Sequence, residues 1–190
     1  MTFEMLKALA QAYSDQQKRP PLLPGRIQTM ARAYNDICTG EDPWTALGNF
    51  TNAWYGYGKH MRSDLIKDPL TRPEQETEHT RHWGAFCAAS VDYLCDLYHQ
   101  PCPEWARDPY YILETPWWYT LHPENQAERA AVQKTAPAPF ARRNIFCTSR
   151  LFQNKYEMYA WIQEALAFGL TNLSEIHTYA RQKEISLHGA

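Results

Sequence analysis

From residue 103 to residue 146 the chain cannot form one regular element. The run holds Pro103-Glu104-Trp105, then Pro116-Trp117-Trp118, then Ala136-Pro137-Ala138-Pro139-Phe140-Ala141-Arg142-Arg143-Asn144-Ile145-Phe146. Each proline removes a backbone donor and fixes φ, so a helix or a central strand cannot continue through it. Tryptophan supplies large apolar area, and Arg and Asn supply hydrogen bonds that can tie irregular backbone together. The stretch therefore predicts a packed, irregular Trp/Pro/Arg-rich layer that regular elements must cover.

Those elements read as helices. Residues 76–99 carry Trp83, Phe86, Cys87, Ser90, Val91, Leu94, Cys95 and Tyr98 in a wide stripe, which predicts a central helix stopped by Pro101 and Pro103. Upstream, residues 2–17 place Phe3, Leu6, Leu9 or Ala10, and Tyr13 at helical spacing, and Lys18-Arg19-Pro20-Pro21 ends that run. Pro24 is a candidate start for a second helix, with Ile27, Met30, Ala31, Tyr34 and Ile37 as its stripe and Gly40 as its stop. Asp42-Pro43-Trp44 predicts another start, an N-cap acceptor followed by proline at the first helical position. Leu47, Phe50, Trp54 and Tyr57 continue that face, and Gly56 and Gly58 weaken its far end.

Residues 67–74, with Pro69 and Pro73, read as a loop. A short helix is expected at 124–135, and two more at 155–168 and from 171 or 172 to 184, with Gly169 between them and Asn172 and Ser174 as caps. Ile145-Phe146-Cys147-Thr148 is the one short strand candidate. The fold class expected is all-α, a single helical domain over 1–190 of about six to eight helices. Within it, 1–66, 75–152 and 154–190 are expected as sub-structures.

Composition narrows the function classes. Nineteen Lys and Arg stand against 21 Asp and Glu, a net charge of −2, which argues against a dedicated nucleic-acid binder. No apolar run approaches the ~20 residues of a membrane span. The start, Met1-Thr2-Phe3-Glu4-Met5-Leu6-Lys7, lacks the basic-then-apolar order of a secretory signal, so a cytoplasmic location is expected. Five irregularly spaced cysteines (Cys38, Cys87, Cys95, Cys102 and Cys147) read as buried reduced thiols rather than a disulfide framework.

The element order over residues 76–152 resembles a bacterial family in which a central helix ends before Pro-x-Trp. A Pro-Trp-aromatic follows, then a short helix, then Pro-x-x-Phe-x-x-Arg-Asn-Ile-Phe and a leucine. The matching residues are Pro103 and Trp105; Pro116, Trp117 and Trp118; Pro137 or Pro139, Phe140, Arg142, Arg143, Asn144, Ile145 and Phe146; and Leu151. The resemblance covers half to two-thirds of the chain, and the tail after Asn154 lies outside it. It implies a toxin–antitoxin or defence-type setting and brings no catalytic residues with it.

Several constellations carry chemistry. Arg142 and Arg143 beside Asn144, enlarged by Arg150 and Lys155, offer planar forks for phosphate or carboxylate; alternatively one arginine pairs with Glu104, Asp108 or Glu114 while Asn144 caps a turn. His79, His82 and Cys87, and separately Cys95, His99 and Cys102, have zinc-type donors, but neither group has a Cys-x-x-Cys and they lie too far apart on one helix to share a shell. A Cys–His pair from His99 with Cys95 or Cys102 lacks a diagnostic third group, although Asp92 and Asp96 are near in sequence. A helix-turn-helix over residues 24–58 would present Trp44, Thr45, Ala46 and Leu47 at its reading end, which supply no base-reading donors.

Aromatics make up 14% of the chain, enough to imply exposure of some as interface anchors. The reading expected is a non-catalytic interaction module, antitoxin-like or regulatory, with Arg142, Arg143, Asn144, Trp117, Trp118 and Arg150 as candidate partner- or anion-binding residues. It needs no cofactor and no metal. Its partner would be another protein, the product of an operon neighbour; a homo-oligomer is an option, nucleic acid is less favoured, and no membrane is involved. A small hydrolase or transferase and a nucleic-acid-binding regulator are the alternatives.

Overall fold

The computed structural model describes residues 27–120, 122–148 and 152–188, so the expected first helix at 2–17 lies outside the described residues. Eight α-helices are described, with one two-stranded sheet, and the fold is all-α. None of the described helices is long and apolar enough to cross a membrane.

Helix α1 is Met30–Cys38. It starts later than Pro24 suggested, because the Thr29 hydroxyl accepts from Arg32 N at 3.2 Å and caps the first turn there. Met30, Ala33, Tyr34 and Ile37 form its buried stripe. Gly40, at φ +101°, takes the left-handed turn that ends the segment. Helix α2, Pro43–Asn52, starts as the sequence predicts, with Asp42 Oδ1 accepting from Thr45 N at 2.9 Å.

The face expected to run on to Tyr57 does so through a π-turn at Ala53–Tyr57 and a 3-10 turn at Lys59–Met61 into α3, Arg62–Ile66. The break falls at Gly56, which has non-helical torsions and lies beneath the Tyr156 ring. A Cβ on Gly56 would come to 2.8 Å from that ring.

Helix α4, Glu78–Tyr98, is the axis of the fold. Thr77 and Thr80 close a reciprocal capping box at its start. Its middle is buried on nearly every side, Gly84 to Asp92 without interruption, as expected of a helix enclosed by others. Gly84 lets the Tyr34 side chain of α1 approach closely, its hydroxyl to 3.2 Å and its ring to 3.3 Å of where a Cβ would sit, and the Tyr34 hydroxyl donates to Thr80 O at 3.1 Å. His99 closes the helix in the left-handed conformation (φ 50°).

The irregular layer follows. Two 3-10 turns, Glu104–Arg107 and Pro109–Tyr111, are joined at Asp108, which accepts from Tyr110 N at 2.8 Å. The Trp105 indole donates to Ile66 O at 2.9 Å and ties the layer to α3. Strand β1, Trp117–Trp118, pairs in parallel with β2, Ile145–Phe146. The sequence marked only the second of these, because two residues are too short to show alternation. Between them lie α5, Gln126–Thr135, with no buried residue, and α6, Ala138–Ala141, which buries Pro139 and Phe140.

The chain ends in a hairpin of α7, Lys155–Ala167, and α8, Leu173–His188, turned at Gly169 (φ +84°). Asn154 caps α7, and Asn172 accepts from Ser174 N at 2.8 Å ahead of α8. Met158, Trp161 and Ala180 form a small cluster of the hairpin's own, apart from the main core.

Candidate functional site

Asp92 sits two turns from the end of α4 with a side chain that is 0% exposed. A carboxylate in that position must be compensated. Arg143 supplies the inner partner: its Nη1 lies 2.9 Å from Asp92 Oδ2. The same guanidinium donates to Pro139 O at 2.6 Å and, through Nη2, to Ala106 O. Arg143 is thus buried and spent on the fold.

Two further arginines reach the same carboxylate from the surface. Arg142 Nη2 lies 2.5 Å from Oδ2, and its side chain is 52% exposed. Arg107 Nε lies 3.5 Å from Oδ1, with 60% exposure. Burial alone would raise the Asp92 carboxyl, but the hydrogen bonds from Arg142 and Arg143 outweigh it and hold the group below the usual carboxylate range. Burial works against the Arg143 charge, and Asp92 offsets part of it; a guanidinium starts so high that it stays charged.

The acid that holds the arginine pair is therefore Asp92, not Glu104, Asp108 or Glu114. It was missed because the sequence suggests partners by proximity to the pair, and Asp92 lies 50 residues from Arg142. One signal pointed to it. Three of its four neighbours one turn away, Ala88, Ala89 and Cys95, are small or apolar and only Asp96 is charged, which places Asp92 at the edge of the apolar stripe.

The remaining motif residues are fixed by the same layer. Asn144 adopts the left-handed conformation (φ 58°), and its Nδ2 donates to Leu113 O at 2.7 Å. Leu113 N donates to Arg143 O at 3.2 Å, Trp117 N to Asn144 O at 2.8 Å, and Tyr119 N to Phe146 O at 2.9 Å. The backbone of 143–146 is thereby zipped to 113–119. Trp117 and Trp118 are both half-buried. Trp117 stacks on His82 at 4.6 Å and meets Trp83 edge-on at 5.4 Å; Trp118 stacks on Phe146 at 4.5 Å. Trp44 closes the cluster by donating its indole N–H to the Tyr119 hydroxyl. Arg150 and Leu151 lie outside the described residues. Lys155 stands at the first position of α7, its Nζ 5.9 Å from the Tyr156 ring.

The thiols are not prepared for attack. Burial pushes all five up: Cys147 to about 12, and Cys38, Cys87, Cys95 and Cys102 also above the ordinary value. Cys102 comes closest to the arginines, with its Sγ 3.6 Å from Asp92 Oδ1, but Asp92 raises it further while Arg107 lowers it. Cys95 Sγ lies 3.9 Å from Pro101 O, and His99 is exposed at the left-handed helix end. Among the described residues no group of three or more His, Cys, Asp or Glu is placed to hold a metal ion.

A second buried polar cluster fastens the C-terminal hairpin. Glu184 of α8, fully buried, accepts from Asn154 N at 3.1 Å and from the Tyr98 hydroxyl at 3.3 Å, and pairs with Arg181 at 2.6 Å. Burial raises its carboxyl despite Arg181. Outside this contact the hairpin presents apolar side chains to solvent: Tyr159, Phe168, Leu173, Ile185 and Leu187, with Phe168 70% and Leu187 58% exposed. Comparison with protein-family profiles, with curated proteins and with solved structures finds no match to this chain.

Proposed function

We propose that this chain is a non-catalytic protein-interaction module, a regulatory or antitoxin-like subunit that acts by covering a partner protein. The observation that carries the reading is the distribution of exposed apolar side chains. Six large ones are exposed among the described residues, and all but Ile112 lie on the hairpin of α7 and α8 or its turn. Scattered singly over a surface such residues need no explanation; gathered on one supersecondary unit they favour an interface. Two features agree with it. The thiols are raised rather than activated, and the aromatic cluster of Trp44, Trp83, Phe86, Trp117 and Tyr119 is satisfied internally, which leaves the hairpin as the surface that gains most by burial. The regulatory setting follows from the resemblance carried by residues 103–151.

Co-expression with the products of the genes flanking its own tests the reading. A tagged chain is expected to retain one of them through purification. The triple variant Phe168→Asp, Ile185→Asp, Leu187→Asp is expected to lose that retention while melting like the wild type, since all three side chains are already exposed. A chain that purifies as a lone monomer and leaves its neighbours' activities unchanged would refute the proposal.

A further inference from the structure

The arginine cluster holds more positive charge than the fold consumes. Asp92 is buried, and the buried Arg143, with its three hydrogen bonds, already compensates it. Arg107 and Arg142 nevertheless meet the same carboxylate from the outside. Asp96, exposed one turn further along α4, also acts on Arg107. Three guanidinium groups against these two carboxylates leave one positive charge in excess.

Geometry makes this excess usable. A guanidinium has five N–H donors. Arg142 makes one hydrogen bond among the described residues, to Asp92. Arg107 makes its nearest approach to Asp92 through Nε, 3.5 Å from Oδ1, and its terminal NH2 groups make no hydrogen bond among the described residues. Both side chains are more than half exposed and both are pinned at one end by a carboxylate that cannot move. The residues come from two separate short elements, the 3-10 turn Glu104–Arg107 and the C-terminal end of α6. The two half-exposed side chains therefore reach the two oxygens of one carboxylate, Arg107 at Oδ1 and Arg142 at Oδ2, from different elements. A planar carboxylate is satisfied by one fork. An anion with oxygens on several sides uses two.

We propose that Arg107 and Arg142 form a seat for a phosphate group, inorganic or carried as a monoester, above the buried Asp92–Arg143 pair. Arg143 is the positioning residue: it neutralises Asp92, so the two outer arginines orient on the carboxylate without being fully discharged by it. The seat is independent of the hairpin and of any protein partner.

The test uses the full chain with inorganic phosphate and phenyl phosphate as probes, and acetate and chloride at matched ionic strength as controls. Binding is read by calorimetry and by the chemical shifts of the arginine Nε–H groups. Both phosphate probes are expected to bind and to move the Arg107 and Arg142 signals. Arg107→Gln and Arg142→Gln are each expected to weaken binding about tenfold, the loss of a charge-assisted hydrogen bond, with melting unchanged. Arg72→Gln, which alters an arginine held by Asp108 and the Tyr110 ring instead, is expected to bind as the wild type does. Acetate binding as tightly as phosphate, or phosphate binding that survives the double variant Arg107→Gln, Arg142→Gln, overturns the proposal.

Discussion

Asp92 stays ionised inside the fold only because guanidinium groups surround it, and the parts played by those groups are unequal. Removing the carboxylate while leaving Arg143 in place strands a buried cation, a change that costs about 3–5 kcal/mol. Removing Arg142 breaks a pair that is half in solvent, where screening limits the loss to about 1 kcal/mol or less. Urea unfolding at neutral pH is therefore expected to separate Asp92→Asn, strongly destabilised, from Arg142→Gln, nearly unchanged. The pH dependence has a definite sign. The folded Asp92 carboxyl lies below its unfolded value, so its contribution is complete above ~4 and is lost as pH falls through the folded value. The acid limb of the stability curve should be shallower in Asp92→Asn. Equal acid limbs in the two proteins would mean that Asp92 is not held by the arginines as described.

At the scale of elements, the helices were readable wherever a cap and a stripe coincide. Asp42-Pro43 starts α2 and Gly169 ends the helix at 155–168, as the side-chain chemistry requires. Thr29, which starts α1, is a cap without a change of pattern around it, so the sequence suggests an earlier start, at Pro24, than the helix has. The π-turn was not readable, because its cause is distant in sequence: the Tyr156 ring occupies the space beside Gly56, and the Tyr156 hydroxyl lies 3.2 Å from Asn52 Oδ1. That contact can be weighed with a double-mutant cycle. Gly56→Ala places a methyl 2.8 Å from the ring carbon and should cost about 1–3 kcal/mol by overpacking. In a Tyr156→Ala background the same substitution should cost much less, since the obstructing ring is gone. Equal costs in both backgrounds would place the effect of Gly56 in backbone torsion rather than in the contact.

Across the whole molecule, burial is divided unequally. The main core runs from Ile27 to Phe152 around α4, whereas the hairpin of α7 and α8 has its own cluster of Met158, Trp161 and Ala180. Its attachments to the rest include Tyr156 on Gly56 and the buried Glu184 against Tyr98 and Asn154. The main core was readable from the stripe of α4, since a wide apolar helix must be enclosed. The attachment was not, because Glu184 reads in the sequence as an ordinary polar position of a surface helix. A unit held by few contacts opens before the rest. Native-state hydrogen exchange should show α8 amides exchanging through an opening that costs less free energy than the opening that exposes α4. The gap should widen with pH. Burial raises the Glu184 carboxyl, so its contribution is complete below its unfolded value of ~4.3 and is lost as pH rises through the folded value. Glu184→Gln, which cannot ionise, should abolish that widening while leaving α4 unaffected. If α8 and α4 exchange with one common free energy at every pH, the hairpin is part of the single cooperative unit and its exposed apolar face is as rigid as the core.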